Sequence, residues 1–391
     1  MKRKTLIGSI FLALIVVGIL YWLEHTLAIS HSLKQLGSDD TGTQALEATT
    51  KPEASNEAIE NPIQEVASNL SVPWEIVFLP DSSILVTERS GTLLHVLEDS
   101  REQIPIQGVV QREEGGLLGL ALHPNYSENN WVYLYLTTQS GTALINRVER
   151  YTFDENSHSL SERTVLLDQI PGAIYHDGGR IAFGPDGYLY ITTGDAQSPQ
   201  HAQNTESLAG KIIRITDTGE IPQDNPFTSP VYSYGHRNPQ GIAWDYENNL
   251  WSTEHGVSVP VSGFDEVNLI EAGANYGWPN IQGSETGPNQ RIPIIQSGSS
   301  ETWAPAALVI HENTLYFTGL KGESIYSAQL SNTTNKLENL RKHFTQEFGR
   351  LRALQLGPDK EWLYVSTSNT DGRGVPKEGD DRIIKIHLSA L

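Results

Sequence analysis

The chain has 391 residues, 38% of them hydrophobic and 19% charged, enough to bury at least one large core. Its 47 acidic against 27 basic side chains give a formal charge of −20, a field that repels nucleic acid and anionic headgroups and makes neither a natural partner. Cysteine is absent, which excludes disulfides, thiolate metal sites, cysteine nucleophiles and a lipidated cysteine.

Lys2, Arg3 and Lys4 precede an uncharged, mostly apolar run from Leu6 to Leu23. At ~1.5 Å rise per residue such a run approaches the ~30 Å of a hydrocarbon core, with its basic flank retained in the cytoplasm. Residues 1–25 are therefore predicted to be a signal anchor. A cleaved signal peptide is the alternative, since Ala28-Ile29-Ser30 makes a small-x-small site. Both place the remainder outside the cytoplasm, membrane-anchored in one case and secreted or periplasmic in the other. Membrane contact is expected through this segment alone. Residues 26–65 are mostly Ser, Thr, Glu, Ala, Gly and Asp, and read as a flexible linker, because few large apolar side chains offset the entropy of ordering them.

From residue 66 to 391 short Val, Ile, Leu, Tyr and Trp runs alternate with Gly, Pro, Asn and Asp, the texture of an all-β domain. A weak repeat runs through it: a Pro-Asp-like turn, then an apolar strand closing on Thr. The turns are Leu79-Pro80-Asp81, His123-Pro124-Asn125, Gly184-Pro185-Asp186-Gly187, Asp245-Tyr246-Glu247, His311-Glu312-Asn313 and Gly357-Pro358-Asp359. Six copies at blade-like spacing predict a six-bladed β-propeller, whose closed ring also protects its sheet edges.

Four loops interrupt this pattern. Tyr175-His176-Asp177-Gly178-Gly179-Arg180 places a histidine among glycines that permit close approach. Asp195, at the far end of the same repeat, is positioned to orient His176 as a general base. Gly235-His236-Arg237-Asn238-Pro239-Gln240-Gly241 sets a forked donor beside an amide on a stiff turn. Lys321, Arg350 and Arg352 form a scattered cationic set. The two arginines alternate on a strand, so they share a face, and like charges there call for an anion. Glu254-His255-Gly256-Val257, followed by Asp265-Glu266, offers carboxylates and loop carbonyls of the kind Ca²⁺ takes.

Taken together, Glu114-Gly115-Gly116-Leu117-Leu118-Gly119, His176-Asp177-Gly178-Gly179-Arg180, His236-Arg237-Asn238-Pro239, Asp265-Glu266-Val267-Asn268, Asn275-Tyr276-Gly277-Trp278-Pro279, Lys321-Gly322 and Arg350-Leu351-Arg352 resemble the soluble pyrroloquinoline quinone (PQQ)-dependent glucose and aldose sugar dehydrogenases. The resemblance covers about residues 68–388. It implies PQQ and Ca²⁺ as cofactors, His176 as the base and Asp195 as its orienting carboxylate. Arg237 is implied as a catalytic contact to the quinone, with Asn238 beside it. Glu114, Lys321, Arg350 and Arg352, with His176 itself, complete the cofactor contacts, and Gly256 and Val257 hold the metal through their carbonyls with Asp265 and Glu266 nearby. The implied reaction is oxidation of the C1 hydroxyl of an aldose to the lactone, with electrons passed to an external quinone or small redox carrier. Two other readings go with the same fold: a non-catalytic anchored propeller, and a calcium-dependent sugar lactonase. The chain departs from the family pattern at Glu114, where glutamine is frequent, and at Tyr175, where the glucose enzymes carry an acid.

Overall fold

The computed structural model describes residues 59–257, 263–331 and 336–391. Among the described residues, twenty-four strands fall into six four-stranded antiparallel sheets. The innermost strands are β2 (Pro73–Phe78), β6 (Leu117–Leu122), β10 (Ile181–Phe183), β14 (Pro239–Trp244), β18 (Pro305–His311) and β22 (Leu351–Leu356). Each touches the next, and β22 touches β2, so the ring closes as a six-bladed propeller. All six Pro-Asp-like turns fall at one place in the blade, the hairpin from the innermost to the second strand. They therefore ring one end of the central channel.

Closure is made by the N-terminal edge of the fold. Strand β1 (Ile63–Ala67) is the outermost strand of the last blade, paired with β24 (Ile383–His387) at Ile63 opposite Ile386. The linker predicted to run to residue 65 thus ends earlier, because Ile63, Gln64 and Glu65 already supply ladder hydrogen bonds. The predicted membrane segment lies outside the described residues. Among those described, no helix is long and apolar enough to cross a membrane.

The core lies between blades. Leu117, Leu120, Val132, Leu134 and Phe153 of the second blade pack against Leu79, Leu85 and Leu93 of the first. Trp74, Leu118, Tyr133, Ile181 and Ile213 join the first three blades. These residues alternate along their strands, so each sheet buries both faces against its neighbours.

Candidate active site

At the channel end opposite the Pro-Asp turns, the loops leaving the second strands converge. His176 adopts φ 65°, a left-handed conformation uncommon for a residue with a Cβ. The backbone is held there from several sides. Its amide donates to Glu114 Oε2 at 3.0 Å, and its carbonyl accepts from Ala196 at 3.2 Å. Gly194 is required beside it: a Cβ there would lie 1.9 Å from the His176 carbonyl oxygen. His176 Nδ1 meets Asp195 Oδ1 at 2.8 Å, and the Asp195 side chain is only 1% exposed. Asp195 is itself fixed, since Oδ1 also accepts the Gln197 amide and Oδ2 accepts Trp278 Nε1 at 2.8 Å. Every oxygen of this carboxylate is an acceptor, so the imidazole carries its proton on Nδ1 and presents Nε2 as a free base.

Glu114 belongs to the same group. Its second oxygen pairs with Arg373 at 2.8 Å, and the Arg373 guanidinium lies 5.2 Å from the Tyr175 ring. Burial raises the Glu114 pKa, but the His176 amide and Arg373 outweigh it and hold the carboxyl below its ordinary value. Behind the base, Asp177 is 2% exposed. Its Oδ1 accepts from Asn146 and Ala173, and its Oδ2 has no partner among the described residues. Burial pushes its pKa up to about 7.

The His236–Asn238 turn is organised by Glu254. His236 Nδ1 meets Glu254 Oε2 at 2.9 Å, and the amides of Arg237 and Asn238 both donate to Oε1. The Arg237 guanidinium lies 5.4 Å from the Trp278 ring, with NH1 directed at the His255 carbonyl. Asn238 uses its Oδ1 for the Gly178 amide, while its Nδ2 is buried with no partner among the described residues, as is Nε2 of His255. Burial pulls the His255 pKa well below the ordinary imidazole value, so the ring is neutral.

Arg350 and Arg352 both point inward, as their alternation predicts. Arg350 pairs with Asp371 at 2.8 Å and reaches the Leu320 carbonyl at 3.2 Å. Arg352 bonds Gln240 Oε1 at 3.2 Å. Burial, then the adjacent Arg89 and Arg350 charges, draw its pKa down to about 9. The guanidiniums of Arg89, Arg350 and Arg352 thus lie near one another, with the Asp371 carboxylate hydrogen-bonded to Arg350 and Glu114 close enough to act on the group. Such a cluster, with orphaned donors on Asn238 and Arg89, fits a planar polyanion that accepts several hydrogen bonds. Lys321 is exposed, one residue after the Leu320 carbonyl that Arg350 holds.

The predicted metal residues have different environments. A cavity of about 20 Å³ is bounded by Arg237, Gly256, Val257 and Glu266, next to Glu254 and His255. The Asp265 carboxylate is taken up by the amides of Gly256, Trp303 and Ala304, so it acts as a loop cap. Glu266 sits beside Glu254, and burial with that second carboxyl raises its pKa to about 8. A divalent cation there would favour the ionised form of Glu266. Among the described residues, no three His, Asp or Glu side chains form a metal cluster.

Sequence reasoning missed Arg89, His255, Trp278, Asp371 and Arg373. Arg89 follows the ordinary strand β3 (Ile84–Glu88) and gives no local signal. Asp371 and Arg373 lie on a Gly-rich loop that looks like plain connection. Trp278 sits in a quoted motif, but only its reach across 83 residues to Asp195 shows what it does.

A model of the Glucose / Sorbosone dehydrogenase family matches residues 70–377. The aldose sugar dehydrogenase YliI of Escherichia coli is 30% identical over 348 residues, 79% of this chain and 91% of that protein. Quinoprotein glucose dehydrogenase B of Acinetobacter calcoaceticus is 34% identical over 253 residues, 56% of this chain and 52% of that one. The PQQ-bound form of aldose sugar dehydrogenase from Streptomyces coelicolor superposes with a TM-score of 0.77 at 38% identity, covering 83% of this chain and 96% of its own.

Proposed function

Because the chain belongs to the Glucose / Sorbosone dehydrogenase family, we propose that it is a PQQ-dependent dehydrogenase that oxidises the anomeric carbon of an aldose. The observation that carries this reading is a histidine base, locked by Asp195 at 2.8 Å, on the same channel rim as a cluster of buried guanidiniums. A binding propeller has use for neither in combination. A lactonase would need a side-chain metal cage and leaves the arginines without a role.

In this reading Arg350, Arg352, Arg89, Lys321 and Asn238 would hold the cofactor, and Arg237 would stabilise charge that develops on it. PQQ, when bound, supplies the two-electron acceptor for the C1 hydride. His176 Nε2 takes the proton of the anomeric hydroxyl, and the buried Asp195 carboxylate stabilises the imidazolium that results. Glu114, held ionised by Arg373, fixes the His176 backbone amide and keeps the ring at the channel mouth. The carbonyls of Gly256 and Val257 would be the ligands for Ca²⁺, with Glu266 and Glu254 close by. The protein is expected to act outside the cytoplasm and to hand its electrons to an external acceptor.

The test is reconstitution. Protein spanning residues 59–391, made without PQQ, is expected to show no aldose-dependent dye reduction. Activity should appear when PQQ and Ca²⁺ are added together and disappear with a chelator. Titrated PQQ that leaves neither bound absorbance nor a thermal shift would overturn the assignment.

A further inference from the structure

Arg373 stands at the mouth of the site, on the loop that follows β23 (Trp362–Thr367) in the last blade. The root of that loop is fixed. Asp371 accepts the Arg373 amide on Oδ1 at 2.9 Å, and its Oδ2 takes Arg350 and Ser368. One carboxylate thus grips a cofactor arginine and sets the backbone from which Arg373 projects.

The reach of Arg373 places it between the base and the cationic cluster. NH1 donates to Glu114 Oε1 at 2.8 Å, and Glu114 Oε2 accepts the His176 amide at 3.0 Å. The width of one carboxylate therefore separates Arg373 from the residue that carries the base. On the other side the Arg373 charge acts on Arg89, as do Asp371 and Glu114. A sugar that gives its proton to His176 and its hydride to a cofactor held by Arg89, Arg350 and Arg352 lies alongside Arg373.

The side chain also keeps donors to spare. It is 45% exposed, against 19% for His176 and 13% for Glu114. A guanidinium carries its N–H donors in a planar fork. Glu114 takes NH1, the Tyr175 ring lies 5.2 Å from the guanidinium, and Nε and NH2 have no hydrogen-bond partner among the described residues. Charge decides what those donors take. Glu114 already balances Arg373, and Asp371 stands behind it. A carboxylate or phosphate bound here would face both acids, whereas a neutral hydroxyl oxygen accepts the same hydrogen bonds without that repulsion.

We infer that Arg373 is a specificity-determining residue of the sugar site: its Nε–H and NH2 donate to a hydroxyl of a neutral aldose whose C1 faces His176, and select that aldose over its uronic acid. This rests on the dehydrogenase reading above and narrows it to a substrate class. Arg373 then has two separable effects. Through Glu114 it sets the His176 backbone, which is felt in kcat. Directly it holds the sugar, which is felt in discrimination between sugars that differ by one hydroxyl.

The experiment compares the PQQ- and Ca²⁺-loaded wild type with Arg373→Met and Arg373→Lys. The substrates are the aldose oxidised best among D-glucose, D-galactose and D-mannose, each monodeoxy analogue of that sugar, and its uronic acid. The wild type should lose about tenfold or more in kcat/KM on one monodeoxy analogue, the effect of a missing charge-assisted hydrogen bond. Arg373→Met should lose the same factor on the parent sugar and no longer separate the two, with bound PQQ unchanged. Arg373→Lys keeps a charge for Glu114 and should recover kcat. Its ammonium lacks the second arm of the fork, so the two sugars stay alike. A readout without turnover is the Kd of the parent sugar's 1,5-lactam, a product analogue that cannot be oxidised, measured by calorimetry on the loaded proteins. It should rise about tenfold in both variants. If both variants keep the wild-type penalty on every analogue, Arg373 acts only through Glu114 and the inference is overturned. A wild type that prefers the uronic acid overturns it as well. Absence of aldose-dependent dye reduction by the loaded wild type would sink the dehydrogenase reading; normal aldose oxidation with lactam binding unchanged in both variants would sink the Arg373 assignment alone.

Discussion

Asp195→Asn is the substitution whose outcome the geometry constrains most. Wild-type Asp195 accepts from three donors: His176 Nδ1 at 2.8 Å, the Gln197 amide at 2.8 Å and Trp278 Nε1 at 2.8 Å. Asparagine has one oxygen and one NH2, so one of these faces must become a donor meeting a donor. If the NH2 turns to Trp278, the indole N–H is left buried and unpaired. If it turns to His176, the ring must accept at Nδ1, its proton moves to Nε2, and no base faces the sugar. Either arrangement also removes the negative charge that stabilises the imidazolium. The lost interaction is one charge-assisted hydrogen bond in a nearly dry site, about 1.5–3 kcal/mol. That converts to a fall in kcat of about 10- to 150-fold, with PQQ content unchanged because Asp195 does not touch the cationic cluster. Trp278→Phe removes the donor that forces the choice. The double variant Asp195→Asn/Trp278→Phe should therefore recover part of the loss and be more active than additivity allows. The assay is steady-state aldose oxidation with a dye, with bound PQQ measured by absorbance. An Asp195→Asn enzyme with wild-type kcat, or strictly additive single and double variants, would refute the tautomer argument.

Three further outcomes are expected. His176→Gln should bind PQQ normally yet lose about 10²–10⁴ in kcat, measured in the same assay, because it removes the proton acceptor and leaves the residues that anchor the cofactor's carboxylates in place. Arg352→Met should weaken PQQ binding at least tenfold by spectroscopic titration, yet raise the melting temperature of the unloaded protein, since it relieves a buried like-charge contact with Arg89 and Arg350. Asp177→Asn should stabilise the fold more at pH 8 than at pH 5. The carboxyl of Asp177 is raised to about 7 by burial, so the folded state holds its proton more tightly than the unfolded chain. Stability is present below the unfolded value and is lost as pH rises through about 7, by an amount on the order of 2–4 kcal/mol. Asparagine keeps the Oδ1 acceptor for Asn146 and has no such slope, which calorimetry at the two pH values checks.

What could be read from the chain itself was local and periodic. Six Pro-Asp-like turns, each followed by an apolar run, specify six hairpins, because turn chemistry and period-two burial act over a few residues. His176 and Asp195 could be paired on paper for the same reason: they flank one hairpin and lie 19 residues apart. Arg350 and Arg352 share a face by strand alternation alone. Closure by Ile63–Ala67 against Ile383–His387 carries no comparable signal, since any short apolar strand could pair with that edge and only ring geometry selects this one. The remaining site residues are of that second kind. Arg373 reaches Glu114 across 259 residues, Trp278 reaches Asp195 across 83, and Arg352 reaches Gln240 across 112. Asp265 looked like a calcium ligand because an acidic pair in a loop resembles one, and the fold instead turns its oxygens onto three amides. In a closed propeller the loops of distant blades meet around one axis. Which side chains face each other there is decided by the closure of the ring, through contacts that no stretch of sequence contains.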